Sequence, residues 1–325
     1  MSVRKWLAHC VAVVAFSTST MLVDARAEDT YPDRPIRIIV GFNAGSSSDV
    51  SARIIAGQLS DSLKSAVVVE NKPGASSEIG ARYVASAAPD GYTLYLGTVA
   101  NCINFAAKEK YIDLATGLEP LAEFGEVPNI LVTTPSLDAH TVKDVIRIAK
   151  DKPGQLSYAS AGTGTALHMA AELFSAMAGV QMLHVPYQGS ALAMPDLIAG
   201  RVSIMFAPAS TVIPLIKSGA LRAIATTGAH RSTFMPELPT IAEEGLPGFE
   251  SSVWAGLLAP KDTPQNIEEK LESAILAAAA PDVKQKFAAQ GFDVVTRGQA
   301  DFTSYIHSEN SKWATVIKER GLDLK

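Results

Sequence analysis

Two short loops carry the residue types best suited to holding an anion. Asn43-Ala44-Gly45-Ser46-Ser47-Ser48-Asp49 and Ser160-Ala161-Gly162-Thr163-Gly164-Thr165 are built of small residues; each follows an apolar run and opens a helical pattern. A helix N-terminus presents unpaired N–H groups and the positive end of its dipole, which suits a carboxylate or a phosphate. Gly and Ser put no bulk between a ligand and the backbone, and the hydroxyls of Ser46, Ser47, Thr163 and Thr165 add donors. Ordinary capping by Ser48 or Asp49 is the simpler account of one such loop alone. A matched pair, one in each half of the chain, points to a shared anion site. Neither loop is a nucleotide motif: Gly45 is not followed by Gly-Lys-Ser/Thr, and Leu167 stands where a third glycine would be needed.

Other chemistry has weaker support. Tyr158-Ala159-Ser160-Ala161-Gly162 resembles a hydrolase nucleophile elbow, but Tyr158 replaces the first glycine and His184 precedes any late acid. A serine esterase using Ser160 is the alternative this leaves open. The 6 histidines form no His-x-x-x-His or His-Glu-x-x-His spacing, so neither a metal site nor a cofactor is predicted. His168, one turn into the helix after the second loop, either orients a ligand or hydrogen-bonds within its own domain. Tyr187, at a strand end in Tyr187-Gln188-Gly189-Ser190, either faces a cleft or packs on its rim.

The elements that must position these loops alternate between strand and helix almost throughout, the pattern of α/β domains. A first unit reads as strands over 36–41, 67–70 and 92–97, with helices over 49–63 and 79–87. A second has strands over 130–133, 156–159, 183–186 and 202–206, with helices over 142–150, 166–177 and 192–199; segments 212–217 and 221–226 repeat the alternation. A strand over 254–259 and helices over 266–279 and 281–290 follow. The last segment, 300–320, puts Phe302, Tyr305, Ile306, Trp313, Val316 and Ile317 on one helical face, a core stripe.

Residues 1–27 read as a secretory signal: Arg4 and Lys5, an apolar run from Trp6 to Phe16, then Ala25-Arg26-Ala27 with cleavage after Ala27. A lipoprotein signal ending at Cys10 is disfavoured by bulky His9. Cleavage removes Arg4, Lys5, Arg26 and Asp24, taking Lys plus Arg from 28 to 25, Asp plus Glu from 33 to 32, and the net charge from −5 to −7. That balance argues against a nucleic-acid or anionic-membrane surface. Cys102 would then be the lone cysteine, read as a small buried hydrophobe, and no intrachain disulfide is expected.

With these motifs in view, the chain resembles the Bug family, the TctC-like substrate-binding proteins of tripartite tricarboxylate transporters. The resemblance rests on Val69-Glu70-Asn71-Lys72-Pro73-Gly74-Ala75, Ala88-Pro89-Asp90-Gly91-Tyr92-Thr93-Leu94 and Lys152-Pro153-Gly154-Gln155-Leu156-Ser157-Tyr158-Ala159-Ser160-Ala161-Gly162. It continues through His184-Val185-Pro186-Tyr187-Gln188-Gly189, Gly245-Leu246-Pro247-Gly248-Phe249 and Gly256-Leu257-Leu258-Ala259-Pro260. It implies an α/β two-domain periplasmic binding protein fold, each domain a mixed, mostly parallel sheet flanked by helices, closing like a flytrap. Domain 1 would be 28–127 plus 252–325 and domain 2 would be 128–251. The implied protein is a periplasmic, monomeric, non-enzymatic receptor that captures a small organic carboxylate for the membrane components of a transporter. A ligand-binding adaptor of a membrane sensor is the variant reading.

The resemblance also implies which residues grip the ligand: the two loops, joined by Phe42, Ser77, Thr98, His168, Tyr187, Phe206 and Ala207. Three departures bear on the ligand. The first loop lacks the family's usual Gly-Gly-Gly-Thr-Asp, Ser76-Ser77-Glu78 replaces Gly-Gly-Asn, and Ala207 stands where an aspartate is common. If Ala207 lines the pocket, no acid is there to pair with an amino-acid ammonium. The expected ligand is then a dicarboxylate or an aromatic carboxylate with an apolar body. Glu78 is left without an assigned place.

Overall fold

A computed structural model describes residues 31–108 and 110–324; the signal segment and its cleavage point lie outside the described residues. The first elements are β1 (Ile36–Val40), α1 (Ser47–Leu63), β2 (Val67–Asn71), α2 (Glu78–Ala85), β3 (Thr93–Thr98), α3 (Val99–Ala107), α4 (Leu114–Gly117) and the long β4 (Glu119–Thr133). There follow α5 (Val142–Asp151), β5 (Ser157–Ser160), α6 (Ala166–Ala178), β6 (Leu183–Pro186), α7 (Ser190–Ile198), β7 (Ile204–Pro208), α8 (Ala209–Lys217) and β8 (Arg222–Thr226). The chain ends with β9 (Ser252–Ala259), α9 (Gln265–Leu276), α10 (Pro281–Ala288) and α11 (Gln299–Arg320).

The strands form one mixed sheet in the order β2-β1-β3-β9-β4-β7-β5-β6, with β8 also on β4. The outer pairings β1–β2, β1–β3, β5–β6 and β5–β7 are parallel, and those made by β4 and β9 are antiparallel. β4 is the seam. Its residues from Glu119 to Pro128 pair with β9, whereas Asn129 to Thr133 pair with β7 and Ile130 to Thr133 with β8. Register shifts between Pro120 and Ala122 and between Glu123 and Gly125 kink this strand before the exchange.

Three apolar clusters hold the elements. Ile36, Ile38 and Val40 of β1 pack with Ala52, Ile55 and Leu59 of α1 and with Leu271 and Ile275 of α9. On the far side of β4, Ile130 and Val132 pack with Met205, Leu197 and Val212. The largest cluster reaches across both halves: Phe302, Ile306, Trp313 and Val316 of α11 join Phe174 of α6 and Val99 and Ile103 of α3. The apolar stripe expected on the last helix is therefore core, and it ties α3 to α6. Cys102 is buried in the same cluster. Among the described residues no helix is long and apolar enough to cross a membrane.

Candidate functional site

Each loop is shaped by a helix cap. In the first, Ser46 is the N-cap of α1 and its Oγ accepts the Asp49 amide at 3.3 Å. Asp49 reaches back: its carboxylate accepts the Gly45 amide at 2.9 Å, Arg53 at 3.0 and 2.9 Å, and Asn71 Nδ2 at 2.9 Å. Burial works to raise its pKa, but the bonds from Arg53, Gly45 and Asn71 prevail and hold the carboxyl below its ordinary range. Gly45 supplies the left-handed turn, with φ 80°, that lets the loop double back. With these groups engaged, the first-turn amides of Ser47 and Ser48 are the ones that helix geometry leaves for a ligand.

In the second loop, Thr165 is the N-cap of α6; its Oγ1 accepts the His168 amide at 3.4 Å and donates to the Gly162 carbonyl at 2.7 Å. Gly162 and Gly164 both hold positive φ, 127° and 78°. His168 Nδ1 accepts the Gly164 amide at 3.2 Å, which leaves Nε2 as the protonated nitrogen of a neutral ring. Burial, with a smaller push from His184, lowers its pKa to about 4 against the opposing pull of Glu172, so the ring stays neutral. The His184 ring stacks on both Tyr158 and His168 behind the loop, with centroids 4.9 and 4.2 Å away. Tyr158 donates to Glu172 Oε1 at 2.5 Å, and Arg320 of α11 holds the other oxygen at 2.8 Å.

Between the loops lies a cavity of about 470 Å³. Of the residues expected from sequence, Phe42, Ser46, Ser47, Ser48, Thr98, Thr163, Gly164 and Thr165 line it. Thr98 is 2% exposed and opens α3 as its N-cap, its amide donating to Asn101 Oδ1 at 3.1 Å. Asn43, Ala44 and Gly45 form the exposed tip of the first loop, outside the lining. Asp49 and His168 sit behind the loops and shape them.

The remaining expected residues lie elsewhere. Ser77 is buried and accepts from Asn101 Nδ2 at 2.9 Å. Ala161 and Gly162 form the turn below the lining, and Tyr187 turns its hydroxyl to Asp196 at 2.7 Å. Phe206 is enclosed by Phe174 and Phe249, and Ala207 is fully buried against the other side of the sheet. The condition that Ala207 lines the pocket is not met, so its lack of a carboxylate says nothing about amino-acid ligands. Glu78 is also outside: it accepts the Ile112 amide and pairs with Arg82 at 2.6 Å.

One wall escaped the sequence reading. Val99, Ala100, Ile103, Asn104, Ala107 and Lys108 line the cavity, and their spacing is that of one face of α3. The nine residues of α3 carry the lining roughly 15 Å from Thr98 to Lys108, at about 1.5 Å per residue. The helix-period signal was present at 99, 103 and 107, hidden because Val99, Ile103 and Phe105 also read as an extension of β3. Asn104 Nδ2 bonds the Ser76 carbonyl at 2.7 Å and fixes this face against the loop before α2.

Ser160 does meet a histidine, Oγ to His184 Nε2 at 2.7 Å. Ser160 is fully buried, however, and its hydroxyl also engages the Gly162 amide and carbonyl at 3.1 and 3.2 Å. Burial lowers the pKa of His184, and Glu172, the cluster's carboxylate, is committed to Tyr158 and Arg320. The pair braces the turn and is absent from the cavity lining.

A family model, the tripartite tricarboxylate transporter family receptor, matches residues 51–322. The Bordetella pertussis protein BugT is 36% identical over 325 residues, covering 98% of this chain and 99% of its own. A Rhodopseudomonas palustris protein solved with adipate is 32% identical, with TM-score 0.71 over 90% of this chain and 98% of the other. Another from that organism, MatC with bound malate, is 28% identical, with TM-score 0.70 over 88% of this chain and 100% of the other.

Proposed function

Since the chain belongs to the tripartite tricarboxylate transporter receptor family and is a periplasmic solute-binding protein, we propose that it captures a small dicarboxylate with an apolar body. The observation that carries this reading is the pair of helix N-termini, α1 and α6, opening on one cavity. One carboxylate takes the amides of Ser47 and Ser48 with the hydroxyls of Ser46 and Thr163. The body lies along Val99, Ile103 and Ala107, and the second carboxylate reaches toward Lys108. The bound adipate and malate of the two related proteins support the ligand class; an aromatic carboxylate fits the apolar wall less well because α3 makes it long.

The division into domains 28–127 plus 252–325 and 128–251, closing on the ligand, is part of the same proposal. It is supported by β4, which exchanges partners from Pro128–Ser252 to Asn129–Pro208 within one residue of that boundary. Secretion with cleavage after Ala27 and delivery as a monomer to membrane transporter components complete it. Ligand capture needs no covalent step, and Ser160 braces the second loop.

The test is isothermal titration of the 28–325 protein against adipate, malate, aspartate and benzoate. Tight binding of a dicarboxylate supports the reading. Micromolar or better binding of aspartate with none of adipate, malate or benzoate overturns the ligand class.

A further inference from the structure

The far end of the cavity is closed by a segment that belongs to neither loop. α11 ends at Gly321 in a left-handed cap, φ 60°, whose amide bonds back to Ile317 and Lys318. Leu322 follows, its amide on the Ile317 carbonyl at 3.0 Å, and the chain then turns toward the cleft. Leu324 lines the cavity, and its Cδ2 lies 3.9 Å from the position a Cβ on Gly164 would take. On its other side the tail, from Leu322 to Leu324, faces Ala107, Lys108 and Lys110 across a separate outer hollow. Leu324, Ala107 and Lys108 line both spaces, so the tail is the partition between them.

The tail is anchored at its root. Arg320 holds Glu172 of α6 at 2.8 Å, and both Leu322 and Leu324 pack on the large apolar cluster. Leu324 thus lies beside the second loop on the α6 side of the cleft and faces the α3 residues that line the same cavity. A leucine at this point adds apolar surface opposite Ile103 and Ala107 and offers a ligand hydroxyl no partner.

We propose that the C-terminal tail is part of the binding site and sets its selectivity, Leu324 covering the methylene body of a linear dicarboxylate against α3. This rests on the proposed carboxylate site. The consequence is a dependence on chain length: each methylene buried between Leu324 and α3 tightens binding about fourfold, and a hydroxylated short diacid gains nothing from the wall.

The experiment is titration of linear α,ω-dicarboxylates of four to eight carbons, with malate, into three proteins. These are the wild type, Leu324→Ser, and a chain ending at Leu322, which keeps the helix cap. Thermal melts establish that the variants are folded. The expected result is a rise of about fourfold per methylene in the wild type, flattened to twofold or less in both variants, with malate affinity unchanged within about threefold. Ser46→Leu, which fills the first loop, serves as the control and should abolish binding of the whole series. A wild type that binds the series with the same chain-length dependence in both variants, while Ser46→Leu abolishes binding, overturns the tail's role and leaves the site intact. A wild type indifferent to chain length overturns it too. No binding of any diacid by the wild type overturns the dicarboxylate reading and this inference together.

Discussion

Asp49→Asn separates a residue that touches the ligand from one that holds the loop which does. Asp49 Oδ2 accepts the Gly45 amide and Arg53 Nε, and Oδ1 accepts Arg53 Nη2 and Asn71 Nδ2. An asparagine converts one oxygen into a donor, so two of these four donors lose their acceptor whichever way the amide lies. Arg53 is half exposed and exchanges its lost bond for water, so its share is small. The cost falls on the Gly45 amide at the loop tip or on the half-buried Asn71 side chain, at about 1–2 kcal/mol. That corresponds to a loss of roughly 2–6 °C in Tm. Binding suffers by a second route: Asn71 also donates to the Phe42 carbonyl at 3.0 Å, and Phe42 lines the cavity. Loosening either side of the loop should weaken carboxylate binding about tenfold, or 1.4 kcal/mol. The pH dependence has a defined sign. A carboxyl whose folded pKa is depressed stabilises the fold above its unfolded value, about pH 4, and that stabilisation disappears as pH falls through the lower folded value. Asparagine should therefore shrink the acid-side loss of stability as well as lowering the neutral Tm. Titration calorimetry with a bound diacid and melts at neutral and acid pH read both effects. Wild-type Tm together with wild-type affinity refutes the positioning role.

Three further expectations follow from the site and the seam. Lys108→Met should weaken dicarboxylates several-fold and monocarboxylates little; between about 0.1 and 1 M salt, where the Debye length falls from about 10 to 3 Å, the wild type should lose affinity faster than the variant. Equal salt slopes would remove Lys108 from the ligand's second end. At the seam, burial pushes Glu123 up to about 8 against the pull of Arg297, and burial with Glu250 pushes Glu126 up to about 7. A folded pKa raised above the unfolded one means stability is greatest below about pH 4.5 from these groups and declines as pH rises through 7 to 8; urea midpoints should fall across that window, and Glu123→Gln should flatten the fall by on the order of 1 kcal/mol, an unchanged slope counting against it. Ser160→Ala removes the hydroxyl bracing Gly162 and should cost about 1 kcal/mol while leaving diacid binding within a few-fold; loss of an ester-hydrolysing activity of the wild protein on the same substitution would revive the serine-hydrolase alternative.

Much of the framework was legible because local chemistry and tertiary role agree. The β-branched run Ile36, Ile38, Ile39 and Val40 is buried as a strand, and Ser46 and Thr165 cap helices at the loops that their small residues announced. Where local signals conflict with the fold, reading stopped short. β4 runs for 15 residues, but Pro120, Gly125 and Pro128 and the acids Glu123 and Glu126 in its first two-thirds look like loop. They are tolerated because antiparallel β9 and the 293–297 segment supply partners from more than 120 residues away, and because the bulges absorb the misfit. Nothing local encodes that pairing.

The same distinction explains the site. Eight of the expected residues meet at one cavity because they stand at strand ends and helix starts, where backbone geometry fixes direction. Phe206 and Ala207 stand on a strand as well, yet both are buried in packed cores on either face of the sheet, since alternation along β7 sends neighbours to opposite sides. The α3 wall needs its opposite wall to be intelligible: an apolar helical face beside Thr98 reads as core until Leu324, more than 200 residues later, leaves a gap between them. A ligand body in that gap would complete the packing that α3 and the tail leave open, which makes chain-length selectivity a property of the turn that follows α11 as much as of the two loops.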